Sequence, residues 1–123
     1  MKDHKKLRAF ELADELAVLV YELTRKFPRE ELFGLTSQMR RSAVSVASNI
    51  VEGCGRHTKS DYLHFLDMAY GSSNELQYQV SLAERLSFLP STDFEKVRLI
   101  CEETSKVLNG LLRSLRKDDN LEP

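Results

Sequence analysis

Asp61-Tyr-Leu-His64 is the nearest approach in this chain to a metal-binding unit, because an acid and an imidazole three residues apart share one helix face. Di-metal sites in helical bundles need two Glu-x-x-His units and a carboxylate from each of two further helices, all facing inward. Only one imitation is present, with His57 ahead of the helix and His4 in the N-terminal arm. No metal or other cofactor is therefore expected, and Asp61 and His64 read as solvated first-turn residues.

Gly53-Cys-Gly-Arg-His-Thr-Lys-Ser60 has the outline of a phosphate loop but lacks the glycine before the lysine. A helix pattern precedes it where a strand is required, so the match reads as chance. The start of the next helix could still hold an anion through its free amides, beside Arg56 and Lys59. No serine sits in a G-x-S-x-G elbow. Cys54 falls at a helix C-terminus, where the dipole disfavours thiolate, and Cys101 falls on a core seam. No catalytic residue is expected.

What remains is a polar stripe. Gln38, Arg41, Ser42, Ser45, Asn49 and Glu52 lie together on one helical face, next to an apolar one. Water-facing stripes are usually built of Lys and Glu, so serines and an asparagine point to a covered surface. Covered polar groups need partners, since each one left alone costs about 1–3 kcal/mol. Glu75, Gln79 and Ser72 are the natural partners, and a buried Arg41–Glu75 pair is expected, within the subunit or across an interface. The alternative is a plain solvated face.

The elements that must position these residues are helices. The chain has 123 residues, 41% hydrophobic and 30% charged, with five glycines and three prolines, which favours one helical globule over a sheet or a disordered chain. A net charge of −1 excludes a uniformly basic nucleic-acid protein but not a basic patch. No apolar run reaches the roughly 18 residues of a membrane span. Charges interrupt what would be the apolar part of a signal peptide in MKDHKKLRAFELADELA, so the expected location is cytoplasmic, with two free thiols.

Four helical patterns are separated by clear punctuation. The first, about Leu7 to Lys26, carries Phe10, Ala13, Ala17 and Val20 on one seam and Leu12, Leu16, Leu19 and Leu23 on a second. Its arc exceeds the roughly 100° that a bundle core needs, pointing to another buried contact. Phe27-Pro28 ends it. The second runs from Thr36 to about Glu52 on the seam Met39, Ala43, Val46 and Ile50, with Gly53 and Gly55 as a left-handed stop.

The third opens on the capping pattern Thr58-Lys-Ser-Asp61 and continues through Tyr62, Leu66, Ala69, Ser73, Leu76, Val80 and Ala83. Its small centre, Ala69, Gly71, Ser72 and Ser73, would admit a close neighbour. Leu89-Pro90 precedes the fourth, which reads as starting with the capping box Thr92–Glu95 and following Phe94, Val97, Cys101, Thr104, Leu108, Leu111 and Leu115. The expectation is an all-α, up-and-down antiparallel four-helix bundle in one domain, residues 1–117, with a flexible tail at 118–123.

Several stretches carry a family resemblance: Tyr21-Glu-Leu-Thr-Arg-Lys-Phe-Pro28, Glu31-Leu-Phe-Gly-Leu-Thr-Ser-Gln38, Arg40-Arg-Ser-Ala-Val-Ser45, Asn49-Ile-Val-Glu-Gly53, Gly55-Arg56 and Gly71-Ser-Ser-Asn-Glu75. Together they resemble the four-helix-bundle proteins encoded by intervening sequences of bacterial 23S rRNA genes. The chain departs from that family at Phe10, often Trp there, and at Ala47, often Pro. The resemblance implies a ring-like homopentamer of up-and-down bundles with no established enzymatic activity. It extends distantly to the accessory variability determinant of diversity-generating retroelements, which binds RNA and a reverse transcriptase.

An up-and-down topology also regroups charge. It collects Lys2, Lys5, Lys6, Arg8, Arg56, Lys59, Arg113, Arg116 and Lys117 at one end, against Asp3, Asp61, Asp118, Asp119 and Glu122. Cations ending the second and fourth helices complement their dipoles, but those of the first are at the wrong end for that. The expected function is a non-enzymatic homo-oligomeric scaffold whose basic end meets RNA or an RNA-handling protein. The alternatives are a protein-only interaction module and, remotely, a metal- or nucleotide-dependent enzyme. Gln38, Arg41, Ser45, Asn49, Glu52 and Glu75 are then packing or interface residues.

Overall fold

The computed structural model describes residues 2–121, with side chains for 2–117. After a 3-10 turn, His4–Lys6, come four helices: α1, Arg8–Thr24; α2, Leu35–Cys54; α3, Lys59–Arg85; and α4, Ser91–Leu121. A second 3-10 turn, Arg29–Glu31, lies between α1 and α2. Each helix packs on the next and α1 closes the ring of contacts against α4. Contacts at the ends fix the direction: Lys2 donates to the carbonyl of Cys54 at 2.8 Å, Arg40 reaches Thr24, and Arg116 reaches Asp67. This is the up-and-down antiparallel bundle.

The seams read from the sequence line the interior. Met39, Ala43, Val46 and Ile50 of α2 are buried, as are Tyr62, Leu66, Ala69, Ser73, Leu76, Val80 and Ala83 of α3. They form two half-cores. One gathers Leu16, Val20, Met39, Leu76, Val80 and Val97; the other gathers Ala9, Ala13, Val46, Ile50, Leu66 and Leu108. Between them lies a waist where Ser42, Ser73, Thr104 and Ser105 are buried.

Several local expectations are corrected. The wide arc of α1 is used within the chain, because α1 lies between α2 and α4 and buries Leu12, Leu16 and Leu19 together with Ala13 and Val20. Only Val18 and Tyr21 remain as large exposed apolar residues on α1. No described glycine has positive φ, so Gly53 and Gly55 do not form a left-handed stop. Gly53 is instead a point of close approach: a Cβ there would lie 3.0 Å from Phe65 Cβ.

α4 begins at Ser91, so Thr92–Glu95 lies inside its first turn and is no capping box. The Pro90 carbonyl accepts from the Phe94 N–H at 2.9 Å, and the Glu95 carboxylate is held by Arg98 at 2.7 Å. The start of α2 is capped from upstream, by Glu31 Oε1 accepting from the Leu35 N–H at 3.1 Å. At α3 the expected cap forms, with Thr58 Oγ1 accepting from the Asp61 N–H at 3.1 Å. Helical backbone in α4 continues to Leu121, into the stretch 118–123 expected as a tail; residues 122 and 123 of that stretch lie outside the described residues.

Candidate basic end and polar stripe

The polar stripe divides into a covered middle and exposed ends. Ser42 Oγ donates to Glu75 Oε1 at 2.9 Å, and the Ser45 and Ser72 hydroxyls share a bond of 2.9 Å. Asn49 Nδ2 turns back on its own helix, to the Ser45 carbonyl at 2.8 Å and the Ser45 hydroxyl at 3.0 Å. Gln79 Nε2 adds a long contact to Glu75 at 3.4 Å, while its Oε1 is buried with no partner. The Ser42–Glu75 and Ser45–Ser72 bonds tie α2 to α3, while those of Asn49 and Gln79 stay within their own helices.

Gln38, Arg41 and Glu52 are exposed. Within the subunit the expected buried Arg41–Glu75 pair does not form among the described residues. Arg40 is the arginine that turns inward, its Nε donating to Thr24 Oγ1 at 2.9 Å and its guanidinium lying 4.7 Å from the Tyr21 ring centroid. The physical reason is angular: successive helix residues are about 100° apart, and the α1 side of α2 is the side Arg40 occupies. Glu75 needs no arginine because Ser42 supplies its donor.

Arg41 instead borders an open groove of about 600 Å³ with Tyr21, Leu32, Phe33, Ser37, Arg40, Val44 and Ser45. Phe33 is 92% exposed and Leu32 47%. Neither belongs to a helix seam, so periodicity passes over both. Their signal is the aromatic and leucine placed in a polar connecting segment, Arg29-Glu-Glu-Leu-Phe-Gly34.

The cations fall at the end where α1 and α3 start and α2 and α4 finish. Lys2, Arg56 and Lys59 line a cleft of about 410 Å³ together with Gly53, Cys54, His57, Thr58, Tyr62 and Leu115. Arg113, Arg116 and Lys117 border a second hollow on α4 with Gly110 and Ser114. Lys5, Lys6 and Arg8 are exposed in the 3-10 turn and the first turn of α1. Some of the charge is locally balanced: Arg8 meets Glu11 at 3.6 Å, Arg56 meets Glu52 at 2.7 Å, and Arg116 meets Asp67. Arg56 also lies over the Phe65 ring at 4.7 Å.

Elsewhere the chemistry is quiet. Among the described residues no group of three or more His, Cys, Asp and Glu side chains could hold a metal ion, and Asp61 and His64 are both exposed. Burial raises the Cys54 thiol above its ordinary value despite the Tyr62 hydrogen bond and nearby Lys2, and it pushes the Cys101 thiol up to about 12. Neither cysteine is poised as a thiolate nucleophile near neutral pH. Burial also pushes the Tyr62 phenol up to about 12, with Cys54 beside it adding to the shift. No described helix is long and apolar enough to cross a membrane.

Comparison with known proteins agrees with this architecture. The family model described as 23S rRNA-intervening sequence protein matches residues 5–110. Among curated proteins no match was found. A solved structure from Bacteroides thetaiotaomicron VPI-5482, described as a protein with unknown function from the S23 ribosomal protein family, superposes with a TM-score of 0.79. It is 24% identical, and the match covers 85% of this chain and 95% of that one. At that identity the likeness speaks for the fold.

Proposed function

We propose that this chain, which belongs to the 23S rRNA-intervening sequence protein family, is a non-enzymatic scaffold that assembles with copies of itself and meets RNA through its basic end. The observation that carries the RNA reading is the convergence of Lys2, Arg56 and Lys59 on one cleft, with Arg113, Arg116 and Lys117 around a second hollow at the same end. Clustered cations bind polyanions by releasing condensed counterions, so such an end suits phosphate backbones without reading sequence. The chain's net charge of −1 makes this local excess a matter of placement and not of composition.

Self-assembly is supported by the groove beside Arg41. Tyr21, Leu32, Phe33 and Val44 form an apolar surface rimmed by Arg40, Arg41 and Ser37, the make-up of a contact site. The number of subunits, five, comes from the family resemblance. A ring would repeat the basic end around a rim and raise its affinity for a long polyanion. The same reading sets the protein in the cytoplasm, where two free thiols stay reduced.

Fluorescence anisotropy with a structured RNA, across a salt series, tests the RNA reading. Binding should weaken linearly in log–log form, with a slope of about −0.7 to −0.9 per phosphate contacted. Neutralising Lys5, Lys6, Arg56, Arg113 and Arg116 together should flatten that slope. Undetectable binding at low salt, or an unchanged slope, would leave a protein-only interaction module, the second reading that the apolar groove favours. Native mass spectrometry tests assembly: a pentamer is expected, and a strict monomer at micromolar concentration would contradict it.

A further inference from the structure

Cations at the basic end are not spread evenly. Lys2 comes from the N-terminal arm, Arg56 and His57 from the α2–α3 turn, and Lys59 from the first turn of α3, yet all four line one cleft. Among the described residues no carboxylate lines it. Its volume of about 410 Å³ lies in the range of small-ligand clefts, about 300–1,000 Å³.

The fold fixes at least two of these groups. Lys2 is pinned by its own backbone N–H, which donates to the Cys54 carbonyl at 2.8 Å, and its Nζ lies 5.1 Å from the Tyr62 ring centroid. Arg56 is held between Glu52, at 2.7 Å through one Nη, and the face of Phe65. A guanidinium has five N–H donors, so one bond to Glu52 orients it without exhausting it. Glu52 is thereby a positioning residue for Arg56. Acidic groups stand nearby, Glu52 on α2, Asp61 on α3 and Asp3 in the arm, but all lie outside the cleft wall.

We infer that this cleft seats a single phosphate group of an RNA backbone, with Lys2, Arg56 and His57 as its side-chain contacts and the hydroxyl-bearing, amide-rich start of α3 as its floor. The inference rests on the RNA reading of the basic end and localises it. The hollow around Arg113 then serves a neighbouring stretch of backbone, so the two have separable roles.

Inorganic phosphate is the probe, followed by NMR of the full chain at constant ionic strength, with chloride as control. Saturable shifts are expected at the His57 ring and at the Lys59 and Ser60 amides. Lys2→Ser, at an exposed position, should weaken phosphate binding about threefold, the scale of an exposed charge contact, and His57→Gln, also exposed, should weaken it by loss of the ring N–H donor. Arg113→Gln should leave it unchanged. A non-saturating drift that chloride reproduces would overturn the cleft as a site. Salt-dependent RNA binding that is indifferent to Lys2→Ser would also remove the cleft while sparing the basic end. Saturable phosphate binding without any RNA binding would keep the cleft and remove the RNA reading.

Discussion

Ser73 of α3 and Ser105 of α4 share a hydrogen bond of 2.6 Å at the buried waist of the bundle. Removing one partner strands the other hydroxyl, whereas removing both strands neither. Ser73→Ala and Ser105→Ala should therefore each destabilise by about 1–3 kcal/mol, and the double variant by clearly less than their sum. Urea unfolding of the four proteins measures the coupling, and simple additivity would show the bond to be dispensable.

Gly53 and Gly71 should respond oppositely to alanine. At Gly53 the new methyl meets Phe65 Cβ at 3.0 Å and Tyr62 Cδ1 at 3.3 Å, so α2 and α3 must part; overpacking of this kind costs about 1–3 kcal/mol. At Gly71 nothing lies within 4 Å, and the helix gains up to about 1 kcal/mol of propensity. Thermal melts of Gly53→Ala and Gly71→Ala should shift in opposite directions.

Arg40 and Arg41 are neighbours with unequal structural roles. Arg40→Ala loses the Thr24 bond and the Tyr21 contact and should destabilise by about 1–2 kcal/mol, while Arg41→Ala should stay within about 0.5 kcal/mol. Equal effects in chemical denaturation would contradict the inward turn of Arg40.

Ser87 is the one described non-glycine residue with positive φ, at 63°. It closes α3: its N–H donates to the Glu84 carbonyl at 2.9 Å, and the Phe88 N–H donates to the Ala83 carbonyl at 2.9 Å, the two bonds of a Schellman ending. Ser87→Gly relieves the left-handed strain and should stabilise by about 1 kcal/mol. No gain in midpoint would mean that the serine tolerates the turn without strain.

Alkaline pH should weaken the fold through Cys101. Its thiol titrates near 12 in the folded chain, against an ordinary value of 9.0, so between these values the unfolded chain has lost a proton that the folded one keeps. Stability is full below about pH 9 and declines as pH rises toward 12, by up to about 1.4 kcal/mol per pH unit from this group. Tyr62 adds a similar decline above its ordinary 10.0. Cys101→Ala should flatten the slope, read from denaturation midpoints across that window.

Periodicity made the buried seams of α2 and α3 legible, because a single apolar residue every three or four positions leaves one solution for the core face. On α4 the alternating rule held from Val97 to Leu108 and then slipped: Leu112 is buried and Leu111 only half-buried. A straight helix drifts about 20° per heptad against a 3.5-residue repeat, so over the two heptads from Val97 to Leu111 the seam turns by about 40°, away from Leu111 and toward Leu112. The stripe was legible as a covered surface at Ser42 and Ser45, and Glu75 and Ser72 as the groups that meet it, but not in which residue of α2 each one meets. Whether Arg40 or Arg41 turns inward depends on Thr24 and Tyr21 across the helix interface, and no pattern along α2 contains that information. The cleft was half legible: its cations follow from topology, while His57 and Tyr62 enter through the exact path of the α2–α3 turn.

A bundle with purely aliphatic seams can slip by one helical turn with little change in buried area. The waist forbids this here. Moving α4 one turn along α3 would part Ser73 from Ser105 and strand two buried hydroxyls, at about 1–3 kcal/mol for each group. The serine pair thus works as an index mark on a sliding scale, a zero from which both half-cores are counted outward. Twelve residues beyond Ser105, Lys117 arrives at the basic end because the count began in the right place.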